Sequence, residues 1–246
     1  MKQDGSPAAV AALQADIPAW MAAADVPGLS LALIAERSLA WIQGFGVASR
    51  ATGRPVDEAT LFAAASLSKP AFACAALGLC AEGRLDLDAP LAGYAADPLA
   101  AAELAGDAPD LPRVTLRQVL SHSAGFGNWG DADRGRLNFA PGSRFAYSGE
   151  GYTYAQRVVE SIMGQPLDQV LAERLLGPLG MRRSSYVWKH EYEDLIACGH
   201  GVSSTGGHRF GQPWAAFSLL TTPADYARFV LATLGADTAS PAILAS

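Results

Sequence analysis

Two apolar stretches near the N-terminus predict an antiparallel β-hairpin. Leu29 to Ile34 and Leu39 to Val47 are rich in apolar residues over the length of a strand, and a turn near Arg37 and Ser38 lies between them. Strands joined by so short a connection are expected to pair with each other. Further along the chain, between residues 50 and 180, strand patterns are sparse.

Helical patterns occupy most of the remaining sequence. The first begins at Ser6 and Pro7, a cap and first-turn pair, and Pro18 is expected to kink or split that helix. The other predicted helices combine apolar residues at helical spacing with start or stop signals; they run from Ser66 to Gly83, from Thr115 through His122, from Gly149 to Met163, onward from Pro166, and from Thr222 to Gly235.

This order of elements indicates an α+β fold in two parts. Residues 1–60 hold the first helix and the hairpin, and residues 61–246 form a mostly helical part. The chain has 246 residues, half of them hydrophobic, which is enough to bury a large core.

Charge and hydropathy exclude several classes of partner. The net charge is −6 and no basic patch occurs, so nucleic acid is not an expected partner. No apolar run reaches the length of a transmembrane helix, so no membrane partner is expected either. The N-terminus has no signal-peptide apolar core, which favours a cytoplasmic protein; a periplasmic or secreted one would have lost its leader. Nothing in the sequence indicates the oligomeric state.

The cysteines and histidines do not indicate a metal or another cofactor. Cys74, Cys80 and Cys198 cannot all pair with one another, and the first two occupy different faces of an apolar helix. We expect all three to be small buried hydrophobes. Neither the cysteines nor the four histidines have the spacing of metal ligands.

The chemistry of the chain is most visible in residues 66–69, Ser-Leu-Ser-Lys. Residues three apart share a face of a helix, so Lys69 is expected beside Ser66. A serine hydroxyl is a weak nucleophile until a base takes its proton, and a neutral lysine is such a base. Ser-x-x-Lys is therefore a compact nucleophile and base pair known from acyl transfer.

The context of this motif separates a catalytic pair from an ordinary helix start. In a purely structural interpretation, Ser66 or Ser68 is a helix cap and Lys69 is a solvated side chain. However, residues 71–80 are almost wholly apolar, which predicts a buried helix that carries Lys69 into the interior. Pro70 places Ser66 near the helix N-terminus, where the dipole favours developing negative charge.

Two further residues are candidates for proton transfer. Tyr147 follows a Pro-Gly turn and could act as a second acid or base beside Ser66; alone, it would be a half-buried structural tyrosine. His122 invites a Ser-His-Asp interpretation, yet no Gly-x-Ser-x-Gly elbow accompanies it. A structural histidine that bonds to loop backbone is the favoured interpretation of His122.

Several segments together resemble the serine beta-lactamase and penicillin-binding protein superfamily, on the side of class C beta-lactamases and related esterases. Matches that follow the family order over residues 28–235 are more specific than any single motif. They comprise the first motif at 66–70, the segment after its helix at 83–91, a Thr-Leu-Arg to Ser-x-Gly stretch at 114–126, the region of the second, Tyr-x-Asn, motif at 141–152, and later segments at 177–181 and 222–229.

The resemblance implies a beta-lactamase/transpeptidase-like fold and a serine hydrolase that acts on small esters or amides. Ser66 would form an acyl-enzyme, Lys69 and Tyr147 would share the proton transfers, and the Ser66 N–H would bind the oxyanion. Ser148 and Gly149, at the second motif, are the implied substrate-binding positions.

Two departures from the family pattern keep an alternative open. Gly149 stands where the second motif has asparagine, which favours esters over beta-lactams and peptides. The sequence also ends at Ser246, before the third motif and the last sheet strands that the family would place after residue 235. A catalytically impaired member, or a truncated fragment that acts as a binding module or is completed by another polypeptide, is therefore the alternative to an active hydrolase.

Overall fold

An N-terminal helix and an antiparallel hairpin open the chain. The computed structural model describes residues 6–94, 111–128, 137–199 and 209–235. Helix α1 (Pro7–Ala23) precedes strands β1 (Gly28–Ala35) and β2 (Ser38–Gly46). The strands are antiparallel, from the pair Gly28 and Gly46 to the pair Ala35 and Ser38, as the sequence predicts.

Helix α1 begins as expected but is not divided. The Ser6 hydroxyl accepts a hydrogen bond from the Ala9 N–H at 3.3 Å, which caps the first turn. The helix then continues through Pro18 to Ala23, so the expectation of a split is wrong. Proline removes the N–H that would bond to the carbonyl of Gln14, and both residues are exposed, where water can bond to that carbonyl.

The other predicted helices are present with small shifts at their ends. They are α2 (Ser68–Ala81), α3 (Leu116–Leu120), α4 (Gly149–Met163), α5 (Leu167–Leu171) and α6 (Pro223–Thr233). The capping box of α3 forms, because the Thr115 and Gln118 side chains each accept the other's backbone N–H. Gly164 ends α4 in the left-handed conformation expected of a glycine stop.

Helix α2 lies inside the main hydrophobic core. Its residues are buried on most sides, as its apolar sequence predicts. Burial of each large side chain in such a core contributes about 1.5–3 kcal/mol. The core draws on α2, α4 and α5 and on the segments between them, and its large buried members include Phe72, Leu79, Leu116, Tyr154, Leu171 and Met181.

Of the three cysteines that we expected to be buried, only Cys74 is buried. Cys74 is buried on α2, and burial raises the pKa of its thiol. Cys80 and Cys198 are only partly buried, so the expectation of three buried cysteines is wrong for these two. Cys80 lies in the last turn of α2, where the helix approaches the exposed residues 81–84.

Two short strands hold the segment that leads into α2. β3 (Phe62–Ala63) pairs antiparallel with β4 (Leu220–Thr221), and the Ala64 N–H donates to the carbonyl of Leu219 at 2.8 Å. A small apolar cluster of Leu61, Tyr192, Ile196 and Leu220 packs beneath this pairing. Leu61 is also hydrogen-bonded to Leu195 and Ala197, so the backbone at residues 61–64 is fixed immediately before the Ser-x-x-Lys motif.

The hairpin also packs against the last helix. Helix α6 contacts both β1 and β2. Arg37, at the hairpin turn, donates to the carbonyls of Leu234 and Gly235 at the end of α6. A cation at a helix C-terminus stabilises the carbonyls that have no helical partner.

The division of the chain near residue 60 into two parts stays a prediction. Within the described residues, no helix is long and apolar enough to cross a bilayer.

Gly44 tests how tightly the hairpin packs against the segment after it. A Cβ at Gly44 would lie 2.4 Å from the Val56 carbonyl oxygen, closer than atoms can approach. We expect Gly44→Ala to lower the free energy of unfolding by about 1–3 kcal/mol, the usual cost of overpacking. Urea denaturation measures the loss. Gly93→Ala is the matched control, since a Cβ there meets nothing within 4 Å. Equal unfolding midpoints for the two variants would contradict this packing.

Candidate active site

Ser66 lies on a strained turn at the entrance to α2. A 3-10 turn, Ala65–Leu67, joins β3 to α2, and Ser66 is exposed at its middle. Ala65 has a φ of 45°, a left-handed conformation that costs an alanine about 1 kcal/mol. The surrounding structure therefore has to hold this turn in place.

Three hydroxyl groups hold the turn by hydrogen bonds to its backbone. The buried Ser68 hydroxyl donates to the carbonyl of Ala65 at 2.6 Å and accepts the Leu219 N–H at 3.0 Å. Tyr186 donates to the carbonyl of Ser68 at 2.6 Å, and Tyr226 donates to the carbonyl of Leu67 at 3.1 Å. These bonds, of which those of Tyr186 and of Leu219 to Ser68 are buried, fix the direction in which α2 begins and hence the position of Ser66.

Lys69 enters the interior with α2, as the apolar sequence around it predicts. Only 4% of the residue is exposed. Its Nζ donates to the carbonyl of Ala216 at 2.8 Å and to the Ser66 Oγ at 3.2 Å. Among the described residues, no carboxylate lies within ion-pair distance of Lys69. The lysine is thus directed at the nucleophile by a backbone carbonyl.

Tyr147 completes a cluster of three polar side chains. Its hydroxyl donates to the Ser66 Oγ at 2.7 Å. The Nζ of Lys69 lies 4.7 Å from the centre of the Tyr147 ring and 5.6 Å from that of Tyr152. The faces of aromatic rings attract cations, so the two tyrosine rings replace part of the water that the buried ammonium group has lost. The structure brings the three predicted catalytic residues together, and their catalytic roles stay a prediction.

The same contacts change how Tyr147 ionises. Burial alone would raise the pKa of Tyr147, but the interactions with Lys69 and Ser66 and the lysine charge outweigh it and lower the pKa. Tyr152 behaves in the opposite way, because burial raises its pKa to about 12. The two neighbouring phenols are therefore separated in acidity, with the more acidic one beside Ser66.

His122 touches the cluster without bonding to Ser66. Its Nδ1 accepts the backbone N–H of Ser148 at 3.1 Å. Its ring lies 4.4 Å from the Tyr147 ring and 5.3 Å from the Tyr152 ring, centre to centre. Burial and the charge of Lys69 lower the pKa of His122. The structure thus agrees with the interpretation of His122 as a histidine bonded to loop backbone.

Ser148 and Gly149 form the cap of α4. The buried Ser148 hydroxyl accepts the Gly151 N–H at 2.9 Å and donates to the carbonyl of Gly127 at 2.7 Å. The Gly149 N–H donates to the Oδ1 of Asn128 at 3.2 Å. The bonds of the Ser148 hydroxyl are thus made within the protein, and the substrate-binding role of both residues stays a prediction.

Some supporting groups could not be recognised in the sequence. The carbonyl of Ala216 that binds Lys69 is a backbone atom, so its residue type gives no signal. Tyr186 and Tyr226 bond to the turn at Ser66 from more than a hundred residues away. Asn128 could have been singled out only as a polar residue after a glycine.

A separate polar cavity does not belong to this cluster. It has a volume of about 800 Å³, and its lining includes Asp57, Arg182, Arg183 and Arg228 but none of the residues around Ser66. Its lining holds three acidic residues and three arginines, which gives no preference for one charge of ligand. Among the described residues, no group of His, Cys, Asp and Glu is arranged to hold a metal ion.

Known proteins match this chain over most of its length. Residues 13–246 match the family model described as Beta-lactamase. The chain is 34% identical over 171 residues to esterase EstB of Burkholderia gladioli, over 58% of this chain and 42% of the esterase. It is 29% identical over 191 residues to penicillin-binding protein 4 of Amycolatopsis lactamdurans, over 71% of this chain and 49% of that protein. The chain thus spans about half the length of these relatives.

Solved structures confirm the fold class. D-alanine carboxypeptidase AmpC from Burkholderia cenocepacia is similar with a TM-score of 0.80 at 26% identity, covering 95% of this chain and 66% of that one. A class C beta-lactamase gives a TM-score of 0.81 at 22% identity, covering 94% of this chain and 66% of its own, and at that identity shows the fold alone. The α+β fold expected from the sequence motifs is confirmed.

The lowered pKa of Tyr147 can be measured directly. We expect a wild-type minus Tyr147→Phe difference spectrum to show a tyrosinate that forms below the ordinary tyrosine range, because the Lys69 cation favours the phenolate. Lys69→Met should move that transition to higher pH. Tyr154→Phe is the control, since burial raises the pKa of Tyr154 to about 12. A Tyr147 transition that Lys69→Met leaves in place would contradict the coupling.

Proposed function

Because this chain belongs to the beta-lactamase family, we propose that it is a serine hydrolase that cleaves small esters or amides through an acyl-enzyme on Ser66. One observation carries the proposal: the Ser66 Oγ lies within hydrogen-bond distance of both the Tyr147 hydroxyl, at 2.7 Å, and the Lys69 Nζ, at 3.2 Å. A nucleophile needs a base within such a distance to lose its proton as it attacks.

The first half of the reaction forms the acyl-enzyme. The Ser66 Oγ attacks the substrate carbonyl carbon while its proton passes to the unit formed by Tyr147 and Lys69. The bond to the leaving group then breaks, and the same unit returns the proton to the departing alcohol or amine. The lowered pKa of Tyr147 favours this residue as the group that exchanges the proton with Ser66.

The second half releases the acyl group to water. A water molecule gives up a proton to the same unit and attacks the acyl carbon, and the bond to the Ser66 Oγ breaks. The serine regains its proton and the product is a carboxylic acid. Each step uses the side chains of this chain and water, without a cofactor.

The turn at Ser66 also offers a donor for the oxyanion. The first N–H groups of a helical segment have no acceptor within the segment, and Ser66 lies at such a start. The Ser66 N–H and the dipole of α2 would stabilise the negative charge of the tetrahedral intermediate. One such donor contributes about 3 kcal/mol to transition-state stabilisation.

We propose that esters are preferred to beta-lactams, and beta-lactams to peptides. Gly149 supplies no side-chain amide at the start of α4, which removes one group that would bind a substrate amide. An alcohol also leaves more readily than an amine, so an ester makes smaller demands on the proton-transfer unit. The similarity to an esterase supports the preference for esters.

A covalent adduct on Ser66 tests the proposal. We expect intact-mass measurement with p-nitrophenyl acetate, or with a fluorescent penicillin as a slower reagent, to show one acyl group on the protein. Ser66→Ala should lose the adduct and reduce nitrophenol release to the background rate. Ser38→Ala, which alters a hydroxyl bonded locally at the hairpin turn, is the matched control.

The outcomes separate the two functions that the sequence left open. An adduct on the wild type and on Ser38→Ala, but not on Ser66→Ala, supports the hydrolase. A folded wild type that binds the penicillin reversibly, without an adduct and without turnover above Ser66→Ala, would refute the hydrolase and favour the binding module.

A further inference from the structure

His122 bonds to the residues on both sides of Tyr147. Its backbone carbonyl accepts the N–H of Ala146 at 2.8 Å, and its Nδ1 accepts the N–H of Ser148 at 3.1 Å. Its ring packs on the ring of Tyr147 at 4.4 Å between centres, tilted by 33°. Three contacts from one residue therefore define where Tyr147 lies.

We infer that His122 is a positioning residue that holds the Tyr147 hydroxyl against Ser66, and that it does so only as a neutral imidazole with its proton on Nε2. The tautomer follows from the hydrogen bond. A nitrogen that accepts an N–H carries a lone pair, so Nδ1 has no proton and the single ring proton of the neutral form lies on Nε2.

The conformation of His122 fits this role. Its φ is 56°, in the left-handed region, where histidine and asparagine occur more often than most residues. Its N–H donates to the carbonyl of Val119 at 3.0 Å, which fixes the residue to the end of α3. The ring is thus attached to a defined element of the fold and presented to the segment that carries Tyr147.

The contacts of His122 with Ala146, Tyr147 and Ser148 form a clamp, and protonation of His122 would release it for two reasons. An imidazolium has a proton on both nitrogens, so Nδ1 could no longer accept the Ser148 N–H. The new charge would also face Lys69 from α2, and the other titratable groups against the ring are the phenols of Tyr147 and Tyr152. Burial and Lys69 already lower the pKa of His122, so the clamp is expected to open only below the ordinary histidine range.

The tautomer and the titration are measurable without any turnover. In protein labelled with ¹⁵N-histidine, we expect the signals that disappear in His122→Asn to report an unprotonated Nδ1 and a protonated Nε2 at neutral pH. On acidification they should titrate below the ordinary histidine range. A proton on Nδ1 at neutral pH, or a charged ring there, would overturn the inference.

Two variants test the consequence for Tyr147. In His122→Asn, the Oδ1 lies near the former Nδ1, accepts the same N–H, suits the left-handed backbone and does not titrate. His122→Leu keeps bulk and removes the acceptor. We expect His122→Leu to slow the acylation burst with p-nitrophenyl acetate by about 10- to 100-fold, with little change in KM, since small displacements of a catalytic group cost this much. His122→Asn should restore most of the rate.

The pH profile distinguishes positioning from a structural role. In the wild type, the acid limb of the acylation rate should include the titration of His122, and His122→Asn should lack that contribution. His190→Asn, at an exposed histidine, is the control and should match the wild type. A His122→Leu variant with the wild-type burst, or an acid limb unchanged in His122→Asn, would overturn the inference.

This consequence for catalysis rests on the proposed hydrolase, and the two can fail separately. If the wild type forms no adduct on Ser66, the hydrolase proposal fails. The ¹⁵N spectra still decide whether His122 has the tautomer and the titration that the clamp requires. In that case the pH at which the Tyr147 tyrosinate forms is the second readout, and it should shift in His122→Leu and return towards the wild type in His122→Asn. If His122→Leu does not fold, the ¹⁵N spectra and the acid limb of His122→Asn decide whether the inference about His122 holds.

Discussion

The site depends on a lysine that is buried without a carboxylate partner among the described residues. Removing a cation from water is costly unless other groups replace the water. Here the replacements are the carbonyl of Ala216, the Ser66 hydroxyl and two tyrosine rings, which orient Lys69 without neutralising it. These contacts place Lys69 beside Ser66 and Tyr147, and so connect the packing of α2 with the chemistry proposed for the site.

The rest of the fold supplies rigidity to that arrangement. Ser66 lies on a turn that contains a strained alanine, and β3, β4 and the hydroxyls of Tyr186 and Tyr226 hold the turn. Helix α6 carries Tyr226 and packs on the hairpin. The N-terminal strands therefore support the nucleophile indirectly, through α6 and Tyr226. Strain at a functional position persists only where its surroundings hold it. The long-range bonds around Ser66 meet that requirement.

The sequence predicted the local features well because they have local causes. The hairpin, the capping box at Thr115 and the helix stop at Gly164 follow from periodicity, cap residues and glycine. The burial of Lys69 followed from the apolar residues after it. The continuity of α1 through Pro18 and the only partial burial of Cys80 and Cys198 depend on which side of each element meets the core, and periodicity did not reveal that. Contacts such as Ala216 to Lys69 or Asn128 to Gly149 join distant segments and have no local sequence signal.

The central claim is that Lys69 and Tyr147 act on Ser66 as one proton-transfer unit. A double-mutant cycle with Lys69→Met, Tyr147→Phe and the double variant tests it most directly, with the rate of Ser66 acylation by p-nitrophenyl acetate as the measured quantity. Groups that work as a unit show strongly non-additive losses. We predict that each single variant loses most of the acylation rate and that the double variant loses little more. Losses that multiply, as for two independent groups, would contradict the account.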